Sequence, residues 1–328
     1  MINRKSFIKI GTLGVSGFFL NSSLASSLNE IDHTIKKKGL KFGVITDLHY
    51  DLMHDAGERA EAFINAMNQE QPDFIISLGD FCVPKPQNQP LMDTWNKFKG
   101  EKHYVLGNHD TDGGFTKDQA LRFWNINRPY YSFDKEDFHF VILDGNEKPA
   151  NSKLQGYPRT IDKKQLAWLK EDLQKTNLRT VIFCHQGLDN TNNGLDNGME
   201  VRYLFEQINQ KAGFNKVILV LTGHHHSNYH NTINNIHYVQ INSSSYYWVD
   251  ESYKSTAFTE DFYKKHPILR HTIVYEDPIW AIVEIDGKNK IKINGKKSRF
   301  AGDDQTAPSG IADTYPITAE IDNRELSY

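Results

Sequence analysis

The sequence predicts an α/β domain of two packed sheets flanked by helices. Two observations carry this. Through about the first two thirds of the 328 residues, short apolar runs alternate with helix-period segments, the pattern of sheets covered by helices. Near the C-terminal end the runs alternate or carry branched side chains and follow one another without helices, as hairpin strands do.

Each element follows from its own residues. The run Phe42-Gly43-Val44-Ile45-Thr46 reads as a buried first strand. Segment 58–68 sets Ala60, Phe63, Ile64 and Met67 at spacings of three and four, a helix with one apolar face. Segment 73–78 is a second buried strand, and Pro84, Pro86 and Pro90 mark the loop after it. Segments 102–106 and 138–143 read as the third and fourth strands, with Tyr130-Tyr131-Ser132-Phe133 ahead of the fourth. Leu166, Leu169 and Leu173 share a face over 162–174, which predicts a helix, and 179–184 is the next strand. Segment 186–198 is rich in Asn, Asp and Gly and reads as a loop; 200–209 is a helix and 216–221 a strand. Segments 236–241, 279–285 and 290–293 are alternating or branched runs and are expected to form a second sheet that closes the chain. No internal repeat is visible. The reading divides the chain into a segment at 1–25, a lysine-rich linker at 26–39, one domain at 40–300 and a polar tail at 301–328.

Composition bounds the rest. A hydrophobic fraction of 38% suffices for one large core or two modest ones. Aromatics at 12% argue against disorder. The formal charge of −3 gives no basic field for nucleic acid. Arg4, Lys5 and Lys9 precede a mostly apolar run of 11 residues from Ile10 to Leu20, and Ser23-Leu24-Ala25 offers a cleavage point. That is the layout of an export signal, which predicts a periplasmic or secreted protein. The run is too short to span a bilayer, which takes about 20 apolar residues. Asn3-Arg4-Lys5-Ser6-Phe7 also resembles a twin-arginine signal with Lys5 at the second arginine; an ordinary secretory signal is the alternative. Loss of the three cations would take the charge from −3 to −6. Cys82 and Cys184 are read as two buried thiols or as one disulfide.

Five short motifs end five of the predicted strands: Asp47-Leu48-His49, Gly79-Asp80, Gly107-Asn108-His109-Asp110, His185 and Gly223-His224-His225-His226. They supply carboxylates, an amide oxygen and imidazoles, the donor types of a two-metal site. Strand ends are where open α/β sheets build their sites. Residues i and i+2 of an extended segment face one way, so Asp47 with His49, and His224 with His226, can each share a cation. His225 is then expected to point away. Gly79 permits a sharp turn before Asp80, which can bridge two cations, and Gly223 a turn before His224. Asn108 and His109 are adjacent and are expected to have different roles. Asn108 is expected as a ligand and His109 as the group that transfers a proton, with Asp110 orienting or charging its ring or else capping a turn.

Taken in this order, the motifs resemble the calcineurin-like metallophosphoesterase family over residues 40–245. The resemblance implies a four-layer αββα sandwich of two mixed sheets between helices. It implies that Asp47, His49 and His226 hold one metal, that Asn108, His185 and His224 hold the second, and that Asp80 bridges them. It further implies hydrolysis of a small phosphorylated substrate by metal-activated water, with His109 near the leaving group. A phosphodiester is the expected substrate; a phosphomonoesterase, a nucleotide pyrophosphatase or a non-catalytic metal-binding protein of the same fold are the alternatives. A nitrogen and oxygen donor set without thiolate suits Fe, Mn, Zn or Co. Phe81-Cys82-Val83-Pro84 after the Gly-Asp motif departs from many relatives, which carry small or polar residues there. Tyr246, Tyr247 and Trp248 are read either as a stacking platform or as sheet packing. Arg159, Lys163 and Lys164 are read as a distal phosphate site or a solvated face.

Overall fold

A computed structural model describes residues 39–149, 156–249, 252–302, 311 and 313–328. The expected export signal and most of the linker lie outside the described residues.

Along the chain come β1 (Leu40–Ile45), α1 (Ala56–Glu70), β2 (Phe74–Ser77), α2 (Gln89–Trp95), β3 (Glu101–Tyr104) and α3 (Lys117–Phe123). Next are β4 (Tyr131–Lys135), β5 (Phe138–Ile142), α4 (Lys163–Lys175), β6 (Arg179–Cys184), α5 (Gly198–Ala212) and β7 (Val217–Thr222). The hairpin β8 (Tyr229–Ile233) and β9 (Ile236–Gln240) follows, then β10 (Tyr246–Trp248), α6 (Glu260–Lys265) and β11 (Thr272–Val274). The chain closes with β12 (Ala281–Ile285), β13 (Lys290–Gly295) and β14 (Arg324–Ser327).

Two six-stranded sheets result, ordered β14-β13-β12-β1-β2-β3 and β4-β5-β6-β7-β9-β8. Both are mixed. In the first, β1, β2 and β3 run parallel while β12 to β14 are antiparallel. In the second, β5, β6, β7 and β9 run parallel between antiparallel edges β4 and β8. A two-stranded ribbon of β10 and β11 stands apart.

The sheets pack through aromatic side chains at the centre. Phe42 of β1 stacks on Phe74 of β2 at 4.8 Å and meets Phe140 and Phe183 of the opposite sheet edge-on at 5.9 and 5.7 Å. All four are fully buried, which removes each from water at a gain of about 1.5–3 kcal/mol. On the outer side of the first sheet, Ile45 and Ile75 pack with Phe63, Ile64 and Met67 of α1 and Trp95 of α2. On the outer side of the second, Val141, Ile182 and Val220 pack with Leu169 and Leu173 of α4 and with Val201 and Phe205 of α5. The layers are therefore helix, sheet, sheet, helix, as the sequence implies.

Two boundaries differ from expectation. The domain does not stop at 300: β14 pairs with β13, and Ile321 and Leu326 are buried in the core between the sheets. The four-residue β14 reads as polar because only Leu326 turns inward. Beyond the expected strands, Tyr229 to Ile233 forms β8 against β9; as an edge strand it has few apolar positions.

Candidate metal centre

The loops that leave β1, β2, β3, β6 and β7 meet at one end of the two sheets. Backbone bonds lace them together. The Asp47 N–H donates to the Gly79 carbonyl at 3.0 Å, His49 N–H to Asp80 at 2.9 Å, and Gly223 N–H to His185 at 3.0 Å. The loop after β9 braces them from behind. Ser243 Oγ donates to the Asp47 carbonyl at 3.0 Å and Ser245 Oγ to that of Leu48 at 2.9 Å.

These loops bring all the expected ligands together. Asp47, His49 and His226 offer donor atoms within 4.8 Å of one another, and so do Asp80, His185 and His224. His226 Nε2 lies 3.2 Å from Asp47 Oδ1 and 3.2 Å from His49 Nε2. His185 Nε2 lies 3.1 Å from Asp80 Oδ2 and 3.2 Å from Asn108 Oδ1. Asp80 Oδ2 is also 3.8 Å from His49 Nε2, which puts it between the groups. Thr46 Oγ1 and the His224 N–H hold Asp47 Oδ2 at 2.6 and 3.0 Å, and the His109 N–H holds Asp80 Oδ1 at 2.8 Å.

The donor chemistry fits metal ions. His226 donates through Nδ1 to the Tyr246 carbonyl, and His185 through Nδ1 to the Leu78 carbonyl at 2.8 Å. With Nδ1 so engaged, each ring turns Nε2 toward the carboxylates. Nε2 lies 3.2 Å from Asp47 Oδ1 in His226 and 3.1 Å from Asp80 Oδ2 in His185. That same spacing is the edge of a coordination shell with bonds near 2.0–2.2 Å. His224 donates through Nε2 to the Asn193 carbonyl at 3.1 Å, which leaves Nδ1 for a metal. Asn108 Nδ2 is buried and has no partner among the described residues, as expected where Oδ1 is the ligand and the amide N–H faces substrate. Burial holds the His49 imidazole neutral, down to about 3, despite the nearby Asp80 carboxylate. His185 goes the other way. Burial lowers it, but the carboxylates of Asp80 and Asp47 push it up to about 9. The pocket therefore holds positive charge even as a proton, and a metal there would displace that proton.

The backbone reaches this geometry by a route the i and i+2 spacing does not describe. The segments are not extended. Asp47, His49, Asp80, His224 and His226 all have left-handed φ, at 52°, 48°, 51°, 74° and 48°. Left-handed backbone at non-glycine residues costs of order 1 kcal/mol each and clusters at functional sites. Gly79 does turn as expected, at φ 106°. Gly223 is needed for space instead: a Cβ there would lie 2.1 Å from Thr46 Oγ1 and 2.7 Å from Asp47 Oδ2.

The expected partner of His109 is corrected. Asp110 does not touch the ring. Its carboxylate is fully buried and accepts four backbone N–H groups: Asp80 at 3.0 Å, Phe81 at 2.7 Å, Cys82 at 3.1 Å and Gly107 at 2.7 Å. Burial and the Asp80 charge push its carboxyl up to about 8, and those N–H donors pull against this. Asp110 thus clamps the loops that carry Asp80 and Asn108. The residue that holds His109 is Asp112, whose Oδ2 lies 2.7 Å from Nδ1. Tyr157 joins them, its hydroxyl 2.9 Å from Asp112 Oδ1 and 3.1 Å from His109 Nδ1. Burial lowers the His109 pKa, yet Asp80 and Asp112 carry it above the usual value.

A cavity of about 440 Å³ opens in front of the centre. It is lined by Asn108, His109, Tyr157, Arg159, Trp248 and other residues of the loops after β5, β6 and β7. His225, expected to point away, lines it as well, as does Tyr247. Tyr246 is instead buried against His49, its ring 5.2 Å away. Lys163 and Lys164 open α4 away from the cavity lining. Cys82 and Cys184 are free, buried thiols; the disulfide does not form, and burial pushes Cys184 up to about 12.

The calcineurin-like phosphoesterase family model matches residues 40–228. The chain belongs to the calcineurin-like phosphoesterase family. Membership makes it a metal-dependent phosphoester hydrolase, and the two triads are the candidate positions for its ions. No curated protein sequence matches it. Among solved structures it is similar to a dimetal phosphatase from Danio rerio, at 14% identity and a TM-score of 0.56, covering 78% of this chain and 95% of that one. It is equally similar to GAP50 of Plasmodium, described as the anchor in the inner membrane complex, at 17% identity and a TM-score of 0.56, covering 89% of each chain. These likenesses concern the fold.

Proposed function

We propose that this phosphoesterase cleaves phosphodiesters. The observation that carries the reading is the charge around the cavity. Among its described lining residues the only arginine is Arg159 and there is no lysine. Arg159 is already engaged by Asn193 Oδ1 at 2.7 Å and Asp196 at 3.5 Å. A diester carries one negative charge. A monoester carries about two near neutrality, and a nucleotide diphosphate more; beyond the candidate metal positions and His109, the described lining adds no free Arg or Lys for that extra charge, which favours the diester.

When bound, two metal ions would make the attacking water more acidic and offset charge on the phosphate oxygens. The protein's own groups do the rest. Asp47, His49 and His226 would hold one ion, Asn108, His185 and His224 the other, and Asp80 would span them. Asn108 Nδ2, buried and without a partner among the described residues, would donate to a phosphate oxygen. His109, with Nδ1 engaged by Asp112, is left with Nε2 to hand a proton to the departing alkoxide.

The test compares p-nitrophenol release from bis-p-nitrophenyl phosphate and p-nitrophenyl phosphate by Mn²⁺-loaded protein. The expected result is a higher kcat/KM for the diester. A higher value for the monoester overturns the diester reading; release from neither overturns catalysis. Export is part of the same proposal and rests on Arg4, Lys5, Lys9 and the apolar run after them. N-terminal sequencing of protein from its native host is expected to begin near Ser26, and an intact Met1 would refute it.

A further inference from the structure

The cavity carries one charge that the reaction above does not use. Asp313 lines it on the side of Tyr247 and Trp248. Its Oδ2 accepts from the Tyr247 hydroxyl at 2.8 Å and from Ser227 Oγ at 3.3 Å. Its Oδ1 accepts from the Thr314 N–H at 2.6 Å. All three donors are neutral. They occupy the carboxylate's hydrogen-bonding capacity and hold it in place without cancelling its charge. No ion pair to Asp313 is formed among the described residues, in contrast to Arg159, which is balanced by Asp196.

A carboxylate already supplied with donors gains little from one more hydroxyl. It gains from a cation. The neighbouring walls favour the same occupant, because Tyr247 and Trp248 line this cavity as well, and aromatic rings attract alkylated ammonium groups. An anionic group in this place would meet Asp313, and among the described lining residues no free Arg or Lys would offset it. The phosphate end is fixed independently, by the candidate metal triads and Asn108.

We propose that one alcohol of the natural diester bears an alkylammonium group, seated at Asp313 against Tyr247 and Trp248. This rests on the diester reading above and names the class of substrate within it. Hydrolysis then consumes water, breaks one P–O bond, and yields an alcohol and a phosphomonoester, one of which keeps the ammonium group.

Two chromogenic diesters test it: p-nitrophenyl phosphorylcholine, and its neutral carbon isostere, 3,3-dimethylbutyl p-nitrophenyl phosphate. Mn²⁺-loaded wild-type protein is expected to favour the cationic ester by tenfold or more in kcat/KM, with most of the difference in KM. Asp313→Asn should bring that ratio close to one, and Asp313→Glu should restore part of it. Thermal unfolding of each variant shows whether the fold is kept, and Tyr247→Phe, which removes one donor from Asp313, is a second probe expected to lower the ratio. Equal wild-type kcat/KM for the two esters, or a preference untouched by Asp313→Asn in a folded protein, overturns the inference and leaves the diester reading standing. Hydrolysis of neither ester overturns both.

Discussion

Asp110 and Asp112 are two positions apart and have opposite tasks. Asp110 faces inward and gathers four N–H groups; Asp112 faces the cavity side and holds the His109 ring. Linear order does not tell them apart, because the chain between them kinks: Thr111 and Asp112 leave helical geometry and Gly113 is left-handed at φ 73°. The ligands themselves were legible because each follows a strand, whereas Tyr157 lies 48 positions from His109 and leaves no local trace. The distinction has measurable consequences. His109→Ala is expected to keep its metals and slow turnover by roughly 10²–10⁴-fold, less for esters with acidic leaving groups. Asp112→Asn should keep its metals and slow turnover by about 10–100-fold, with the same leaving-group dependence, as loss of a partner that orients a ring does. Asp110→Asn should lose metal instead, since an amide must turn N–H groups toward backbone donors. Metal content by mass spectrometry and rates on two leaving groups check all three. Metal loss from Asp112→Asn together with full occupancy in Asp110→Asn would reverse the assignment.

At the scale of elements, the long periodic helices and the apolar strands were readable and the short ones were not. Helices α2 and α3 have seven residues each and α6 has six, fewer than two turns, too short for a 3.6-residue period to show. For α3 a signal did exist: Thr116 and Gln119 form a reciprocal cap. One junction between elements makes a pH-dependent contribution. His139 on β5 lies 2.6 Å from Asp134 of β4 and 2.8 Å from Asp172 of α4, and so ties the edge hairpin to the covering helix. Burial lowers its pKa, but the two carboxylates carry it above 6.5. The folded form therefore binds the proton more tightly than the unfolded chain does. This stabilisation is complete below about pH 6.5 and is lost as pH rises through the raised folded value. Urea unfolding across that range is expected to show wild-type stability falling relative to His139→Gln as pH rises. Parallel pH dependence in the two proteins would show that the bridge contributes nothing.

For the molecule as a whole, the metal centre lies on the seam between the sheets. The first sheet's loops carry Asp47, His49, Asp80 and Asn108, and the second sheet's loops carry His185, His224 and His226. The motif order showed that the ligands share one site but not how the sheets divide them: β12 and β13, expected in a second sheet closing the chain, pair beside β1 in the first. The backbone cost was not visible either, because left-handed φ at Asp or His has no marker in the sequence. Five such residues, at of order 1 kcal/mol each, sit where Asp47 and His226, and Asp80 and His185, bring their donor atoms to 3.2 and 3.1 Å. A cation held by each group would join the two sheets through one group of atoms. Binding to the folded state alone stabilises by about 2.7 kcal/mol per ion when the free ion is 100 times its Kd. Chelation is therefore expected to lower the thermal midpoint by several degrees, and Mn²⁺ to restore it. Asp80→Ala, which removes the carboxylate between the two groups, should start from a lower midpoint and respond weakly to either treatment. Core truncation makes the contrast: Phe42→Ala removes an aromatic ring from between the sheets at a cost of about 3–5 kcal/mol, yet should keep the response to Mn²⁺, because the ligand loops are braced from the strand ends rather than from that ring. A wild-type midpoint indifferent to chelator in protein shown to have lost its metal would mean that the strained loops hold their shape unaided, and that the seam is closed by the apolar core alone.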